Sequence, residues 1–153
     1  MVLAMVMGAP LVPSKPTLTK RMVELLRLKP GQTLYDLGSG DGRVLLEAAA
    51  QGINAYGVEI NPYALIISFI RALFTKRLSL IKLKWGNYWW VSLRRADGIV
   101  VYGLPHIMPK LAKKFKTELR PKTRIVSNSF VIPGLTLVKQ EKIGKDRIYL
   151  YEI

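Results

Sequence analysis

The sequence predicts an α/β protein with a doubly wound, mainly parallel sheet of seven strands, helices on both faces and a C-terminal antiparallel hairpin. Two observations support this fold class. Short apolar runs alternate with helical segments from about residue 32 to 130, as in successive βα units. Two more apolar runs, at about 135–143 and 147–153, are joined by Gly144-Lys145-Asp146, which is a hairpin signal.

Prolines and glycines divide the first 60 residues. Pro10, Pro13 and Pro16 recur at every third position and keep an arm extended until a helix opens near residue 16. That helix is predicted to end before Lys29-Pro30-Gly31. The next elements are a strand at about 32–37, a helix at about 42–51 and a strand at about 53–60.

The segment that follows Asn61-Pro62 is an unusually apolar helix. Residues 63–75 carry large apolar side chains nearly all round the helix and lead into Lys76-Arg77. We expect this helix to be buried against the sheet, because helices that cover parallel sheets are commonly this apolar; contact with another apolar surface is the alternative. The remaining strands are predicted at about 78–84, 96–102 and 123–130, with a helix that ends near 119.

Length and composition limit the classes of protein. The 153 residues suffice for one domain, which we place at 14–153, after an apolar, proline-rich arm at 1–13. The lack of cysteine excludes disulfides and thiolate sites, and a single histidine, His106, argues against a metal centre. The apolar N-terminal run is too short to span a bilayer and has no basic flank, so neither a transmembrane helix nor a secretory signal is expected.

The charge predicts an acidic partner. A formal net charge of +14 attracts nucleic acid, an anionic membrane surface or an acidic protein, and its sign alone does not choose among them. We expect a cytoplasmic protein that contacts the membrane peripherally, because the basic surface is combined with an apolar N-terminus and the apolar helix at 63–75.

A glycine-rich turn is the main candidate for a ligand site. Gly38, Gly40 and Gly42 lie between the first strand and the next helix, where they leave room for a ligand at the free N–H groups of the helix. The second strand ends in Glu59, 23 residues after Asp36, near the spacing at which an acid binds ribose hydroxyls. This pattern predicts a nucleotide-like ligand whose ribose carries no 2′-phosphate.

The local charge identifies that ligand further. Residues 36–61 hold four acids and one base, a net charge of −3, whereas the rest of the chain carries +17. Acids beside the turn would repel a pyrophosphate but suit a ligand with a cationic amino group and a sulfonium. The G-x-G-x-G spacing also differs from the G-x-G-x-x-G of dinucleotide sites. S-adenosylmethionine therefore fits the site, and NAD fits poorly.

Several stretches together resemble the class I, seven-strand S-adenosylmethionine-dependent methyltransferases, which have a Rossmann-like fold. They are residues 34–43, 57–61, 86–89 and 124–127. Val12-Pro13-Ser14 and residues 147–151 further resemble the archaeal broad-specificity protein lysine methyltransferases and the mitochondrial enzymes that methylate lysine in the c subunit of ATP synthase and in the adenine nucleotide translocase. The resemblance covers about residues 10–153.

The resemblance implies a role for each cofactor residue. Asp36 is expected near the methionine amino group, the turn residues Gly38, Ser39, Gly40 and Asp41 along the cofactor, and Glu59 on the ribose. Asn87 is expected on the adenine, with Asn61 and Tyr88 flanking ribose and adenine. The alternative is that Asn87 is a turn residue and Tyr88 a core residue. The arm up to Thr17 is expected to close over the cofactor, and the product would be S-adenosylhomocysteine.

The acceptor side favours lysine. Adenine and glutamine amide methyltransferases carry an Asn/Asp-Pro-Pro-aromatic stretch after the fourth strand, where this chain has Tyr102-Gly103-Leu104-Pro105. A lysine amine must lose a proton before it attacks, and an apolar aromatic channel lowers its pKa. We predict that Tyr102, Trp89 and Phe130 line this channel, and that His106 is a surface residue.

The predicted function is therefore methyl transfer from S-adenosylmethionine to lysine in a protein, membrane-associated or acidic. One rival is a nucleic-acid methyltransferase that acts on RNA, which the net charge favours. The other is a non-catalytic module that binds membrane or nucleic acid.

Overall fold

The computed structural model describes residues 15–153, and the arm at 1–13 with Val12-Pro13-Ser14 lies outside the described residues. Within these described residues, four α-helices and seven strands follow one another in the order that the sequence predicts. The helices are α1 (Pro16–Leu25), α2 (Arg43–Ala50), α3 (Pro62–Leu73) and α4 (Met108–Glu118). The strands are β1 (Thr33–Leu37), β2 (Asn54–Glu59), β3 (Ile81–Trp85), β4 (Gly98–Val101), β5 (Arg124–Asn128), β6 (Thr136–Ile143) and β7 (Asp146–Glu152).

The strands form one seven-stranded sheet in the order β3-β2-β1-β4-β5-β7-β6. Neighbours from β3 to β5 pair in parallel, whereas β7 is antiparallel to both β5 and β6. The chain reverses between β6 and β7 at Gly144, whose φ of 62° is the left-handed conformation that glycine adopts without strain. The predicted fold class, with its C-terminal hairpin, is confirmed.

Each face of the sheet has its own apolar core. Side chains of α1 and α2, such as Met22 and Leu45, pack on one face together with Ala72 of α3. Side chains of α4, such as Phe115, pack on the other face against β4 and β5. Because β1 and β4 lie in the middle of the sheet and are covered on both faces, their residues are almost entirely buried.

Helix α3 departs from the prediction, because its large side chains are not buried. Only Ala64, Ser68 and Ala72 are buried, and these small residues lie four apart on the face that touches the sheet. The expectation of a buried helix was wrong since an apolar periodicity does not show which face packs. No helix within residues 15–153 is long and apolar enough to cross a membrane.

Candidate active site

The candidate site lies at the carboxyl ends of β1 and β2, where the glycine turn joins β1 to α2. Asp36 is in register with Gly57, and the N–H groups of Gly38 and Ser39 donate to the carbonyl of Val58 at 2.9 and 3.0 Å. Gly38, Gly40 and Gly42 all have positive φ angles, between 56° and 87°. The turn therefore folds back on the end of β2 in a conformation that residues with a Cβ rarely adopt.

Glu59 is a buried carboxylate that joins two loops at this edge. Its Oε2 accepts the N–H of Gly40 at 2.7 Å, and its Oε1 accepts the N–H of Asn61 at 2.9 Å. Only 5% of the residue is exposed. Each carboxylate oxygen can accept a second hydrogen bond, so Glu59 can support the glycine turn and still receive hydroxyl groups of a ribose.

Asp36 is buried at the bottom of the same site. Burial, followed by the negative charges of Glu59 and Asp41, raises the pKa of Asp36 to about 8. An acid in this state gains most from a neighbouring cation, because the cation offsets both the desolvation and the repulsion. Asp36 and Glu59 thus form a pair of buried acids suited to a positively charged ligand.

Asp41 differs from that pair because it has cationic partners. Its Oδ2 lies 3.1 Å from Nε of Arg43 and 3.5 Å from NH1 of Arg71 on α3. Arg71 lies outside the segment whose charge was counted from the sequence, so the net charge of −3 overstates the negative charge at the turn. Glu47, the fourth acid, accepts a hydrogen bond from Gln51 one helical turn away. The negative charge of the site comes mainly from the buried pair.

Two asparagines cap helical turns at the edge of the site. The Oδ1 atom of Asn61 accepts the N–H of Tyr63 at 3.0 Å and so begins α3. The Oδ1 atom of Asn87 accepts the N–H of Trp89 at 2.9 Å and begins a short 3-10 turn. Asn87 therefore has the structural role that the sequence allowed as its alternative, Asn61 begins the helix predicted to follow it, and both lie where parallel strands end. Their predicted contacts with a cofactor stay predictions.

Tyr88 lies beside Glu59 in the core below the site. It is 7% exposed, and burial together with the charge of Glu59 raises its pKa to about 12. The hydroxyl therefore stays protonated at neutral pH and can donate a hydrogen bond. Gly86 also lies beside Glu59, because its N–H donates to the carbonyl of Glu59 at 3.0 Å. The residues predicted for the adenine side are thus held at the end of β2.

The three aromatic residues predicted for the acceptor channel separate into two groups. The rings of Tyr102 and Phe130, which follow β4 and β5, are stacked with centroids 6.1 Å apart. Trp89 instead packs on Tyr88, with centroids 5.1 Å apart, and the Nζ of Lys110 lies 4.5 Å from its ring centre. The structure brings together two members of the predicted channel and pairs Trp89 with residues of the adenine side. His106 is exposed, as expected.

Sequence reasoning missed the part that α3 plays in the site. Ser68 donates to the carbonyl of Gly40 at 2.8 Å, and a Cβ on Gly42 would lie 2.8 Å from the Ser68 hydroxyl. The spacing of small residues at 64, 68 and 72 was the signal, because it marks a helix face that approaches a backbone closely. The Ser39 hydroxyl is buried without a hydrogen-bond partner and faces Gly57. The predicted contact of Ser39 with a cofactor would therefore involve its main chain.

Comparison with protein families agrees with this geometry. The family described as "ANTKMT methyltransferase domain" matches residues 36–139, a segment that holds the acid pair, the glycine turn and the Tyr102 end of β4. The chain belongs to this methyltransferase family. The match also includes α3, so the helix whose part in the site was missed from the sequence lies within the family's domain.

Relatives of this methyltransferase domain are protein lysine methyltransferases. A lysine N-methyltransferase of the ATP synthase c subunit, from Xenopus laevis, is 33% identical over 94% of the chain, which spans only 63% of that relative. A protein-lysine N-methyltransferase of Saccharolobus islandicus is 32% identical over 94% of the chain and 93% of its own length. Among solved structures, an RNA methyltransferase of Salinibacter ruber in complex with S-adenosyl-L-homocysteine has a TM-score of 0.88 and 28% identity, covering 93% of this chain and 94% of that one.

Proposed function

We propose that the chain transfers a methyl group from S-adenosylmethionine to the ε-amine of a lysine in a protein substrate. The observation that carries this proposal is the pair of buried acids, Asp36 and Glu59, beside a glycine turn of the methyltransferase family. Such a pair suits a ligand that has both a ribose and a cationic methionine group. S-adenosylmethionine supplies an electrophilic methyl group on its sulfonium when it is bound.

Each residue of the site has a separate role in the proposed reaction. Asp36 offers a carboxylate to the amino group of the ligand, and Glu59 accepts its ribose hydroxyls while it holds Gly40. The stacked rings of Tyr102 and Phe130 give the acceptor amine an apolar surrounding, which favours its neutral, nucleophilic form. The amine forms the new N–C bond as the S–C bond breaks, and the proton that it then carries leaves to solvent. Rate enhancement comes from alignment of the two reactants.

The lysine acceptor rests on the two protein lysine methyltransferases to which the chain is similar. The neighbour named as an RNA methyltransferase, together with the charge of +14, keeps RNA as the rival acceptor. The stretch Tyr102-Gly103-Leu104-Pro105 speaks against a base acceptor, because it lacks the polar residue and paired prolines of adenine methyltransferases. The preserved acid pair speaks against a non-catalytic module. A membrane-associated or acidic substrate protein and a cytoplasmic location stay predictions.

A labelling experiment tests the proposal. The purified chain is incubated with methyl-labelled S-adenosylmethionine and a cell lysate, and protein and nucleic acid are separated and hydrolysed completely. We expect the label in methylated lysine and a loss of that label with Glu59→Ala, whereas Glu47→Gln, which removes a charge outside the acid pair, should keep it. Label in methylated nucleosides with none in lysine would replace this function with the RNA rival.

A further inference from the structure

Helix α3 presents a large apolar face to solvent. Seven bulky residues, counting Phe74 directly after the helix, are between 44% and 88% exposed. An apolar patch of this size is unusual on a soluble surface and marks a contact with another molecule or with lipid. We call this the apolar α3 face, and it consists of Tyr63, Ile66, Ile67, Phe69, Ile70, Leu73 and Phe74.

The packing of α3 explains why these side chains point outward. Ala64 and Ser68 are buried on the inner face of the helix, and Ser68 lies so close to the glycine turn that a Cβ on Gly42 would be 2.8 Å from its hydroxyl. With small residues on the inner face, the helix axis comes close to the sheet and the bulky residues have no space beneath it. They cover a convex surface, which suits insertion into a soft layer better than a pocket.

The surroundings of this face are basic and aromatic. Residues 60–96 contain no acid, and three bases lie on α3 or shortly after it: Arg71, Lys76 and Arg77. Trp85 is 65% exposed, and its indole N–H donates to the carbonyl of residue 60 at 3.0 Å, next to the start of the helix. Aliphatic, aromatic and basic side chains together are typical of membrane interfaces.

We propose that the apolar α3 face docks on the surface of an anionic lipid bilayer, with the aliphatic residues among the acyl chains and the surrounding bases at the headgroups. This binding site goes beyond methyl transfer and does not depend on it. Because α3 begins at the carboxyl edge of the sheet, next to Glu59, docking holds the opening of the candidate site beside the bilayer. A substrate lysine at a membrane surface would then lie within reach.

Charge argues against a second copy of the chain as the occupant. A symmetric dimer through this face would bring Lys76 and Arg77 of one copy close to the same residues of its partner, and residues 60–96 contain no acid to compensate. Nucleic acid would match the charge, but it offers no apolar partner to the exposed isoleucines. An anionic bilayer satisfies both properties at once.

Vesicle binding of the full chain tests this assignment. Sedimentation is measured with vesicles of phosphatidylcholine alone and with vesicles that contain roughly 30% phosphatidylglycerol, at low and high salt. We expect binding to the anionic vesicles and little to the neutral ones. Ile67→Gln with Ile70→Gln should weaken binding at least about tenfold, because two half-exposed aliphatic side chains no longer enter the lipid.

A matched control comes from the opposite edge of the sheet. Leu137 and Val138 on β6 are 46% and 48% exposed, close to the 44% and 47% of Ile67 and Ile70. Leu137→Gln with Val138→Gln should leave vesicle binding within about twofold of the original chain, although it removes equal exposed apolar area. Circular dichroism and the melting temperature confirm that both double variants are folded.

Three results would overturn the proposal. Absence of binding to anionic vesicles by the full chain would mean that the apolar α3 face does not dock on a bilayer. A dimer in light scattering that Ile67→Gln with Ile70→Gln dissociates would assign the face to a second copy. Equal losses of RNA and vesicle binding in that variant would assign it to nucleic acid.

Discussion

The charge state of Asp36 gives cofactor binding a specific dependence on pH. Without a ligand, burial and the neighbouring acids raise the pKa of Asp36 to about 8, so the carboxyl group is mostly protonated at pH 6.5. A ligand with a cationic amino group binds the carboxylate form and must release that proton. Affinity should therefore be highest near pH 8, because the ligand's own amino group loses its charge above that pH, and should fall as the pH decreases, by up to tenfold, or about 1.4 kcal/mol, per pH unit.

Calorimetry measures both the affinity and the proton. Titrations with S-adenosylmethionine between about pH 5.5 and 7.5 keep the ligand's amino group largely protonated. Across this range we expect affinity to change by up to about a hundredfold, and buffers of different ionisation enthalpy should report up to one proton released. Asp36→Asn should bind weakly and with a flat profile, whereas Glu47→Gln should keep the slope, since it removes an acid outside the buried pair.

The stability of the ligand-free protein should change with pH in the direction opposite to the cofactor affinity, so it should fall as the pH rises. The pKa of Asp36 is higher in the folded chain than in the unfolded chain, so this group stabilises the fold at low pH and that stabilisation is lost as pH rises towards 8. Ligand-free Asp36→Asn should therefore melt above the original chain at pH 8, and the difference should shrink as the pH falls towards about 4, near the ordinary pKa of an aspartate. A flat affinity profile in the original chain, or an unchanged slope in Asp36→Asn, would refute this account of the site.

Three further predictions concern single residues. Glu59→Ala should weaken S-adenosylmethionine binding by about 1.5–3 kcal/mol in calorimetry, and should also lower the melting temperature because the N–H of Gly40 loses its partner; unchanged affinity in a folded variant would contradict it. Gly42→Ala should lower the free energy of unfolding by about 2–4 kcal/mol in urea, since it adds strain at φ 87° and a collision with Ser68; adding Ser68→Gly should restore only the part due to the collision. Phe130→Ala should reduce methyl transfer to lysine while it leaves cofactor affinity within about threefold, because it removes only the acceptor-side stack; an equal loss of both would place Phe130 in the cofactor site.

The fold was predictable because several local signals agree. Alternating apolar runs identified the βα units, and Gly144-Lys145-Asp146 identified the hairpin before β7. Glycines at 38, 40 and 42 could be assigned to a turn because glycine tolerates the positive φ angles that such a turn needs. Parallel strands end at one edge, so the sequence order of Asp36 and Glu59 was enough to bring the two acids together.

Pairings between distant segments were not predictable from local sequence. The salt bridge of Arg71 to Asp41 and the stack of Tyr102 on Phe130 join residues about 30 positions apart, through a helix and strands whose orientation only the fold defines. Trp89 was grouped with the acceptor channel because it is aromatic, yet it packs on Tyr88. Residue type indicates what a side chain can contact, and topology decides which neighbour it has.

Helix α3 contacts the glycine turn through its inner residues and carries the apolar α3 face on its outer side. Its inner residue Ser68 holds the carbonyl of Gly40, so a change there alters the turn and should alter cofactor affinity. Its outer residues touch nothing that the turn requires, so Ile67→Gln with Ile70→Gln should change vesicle binding without changing the affinity for S-adenosylmethionine. The small inner face therefore has two consequences: it brings the helix close enough to support the site, and it forces the bulky apolar residues outward. The same packing that positions the cofactor turn also creates the surface that we assign to the bilayer.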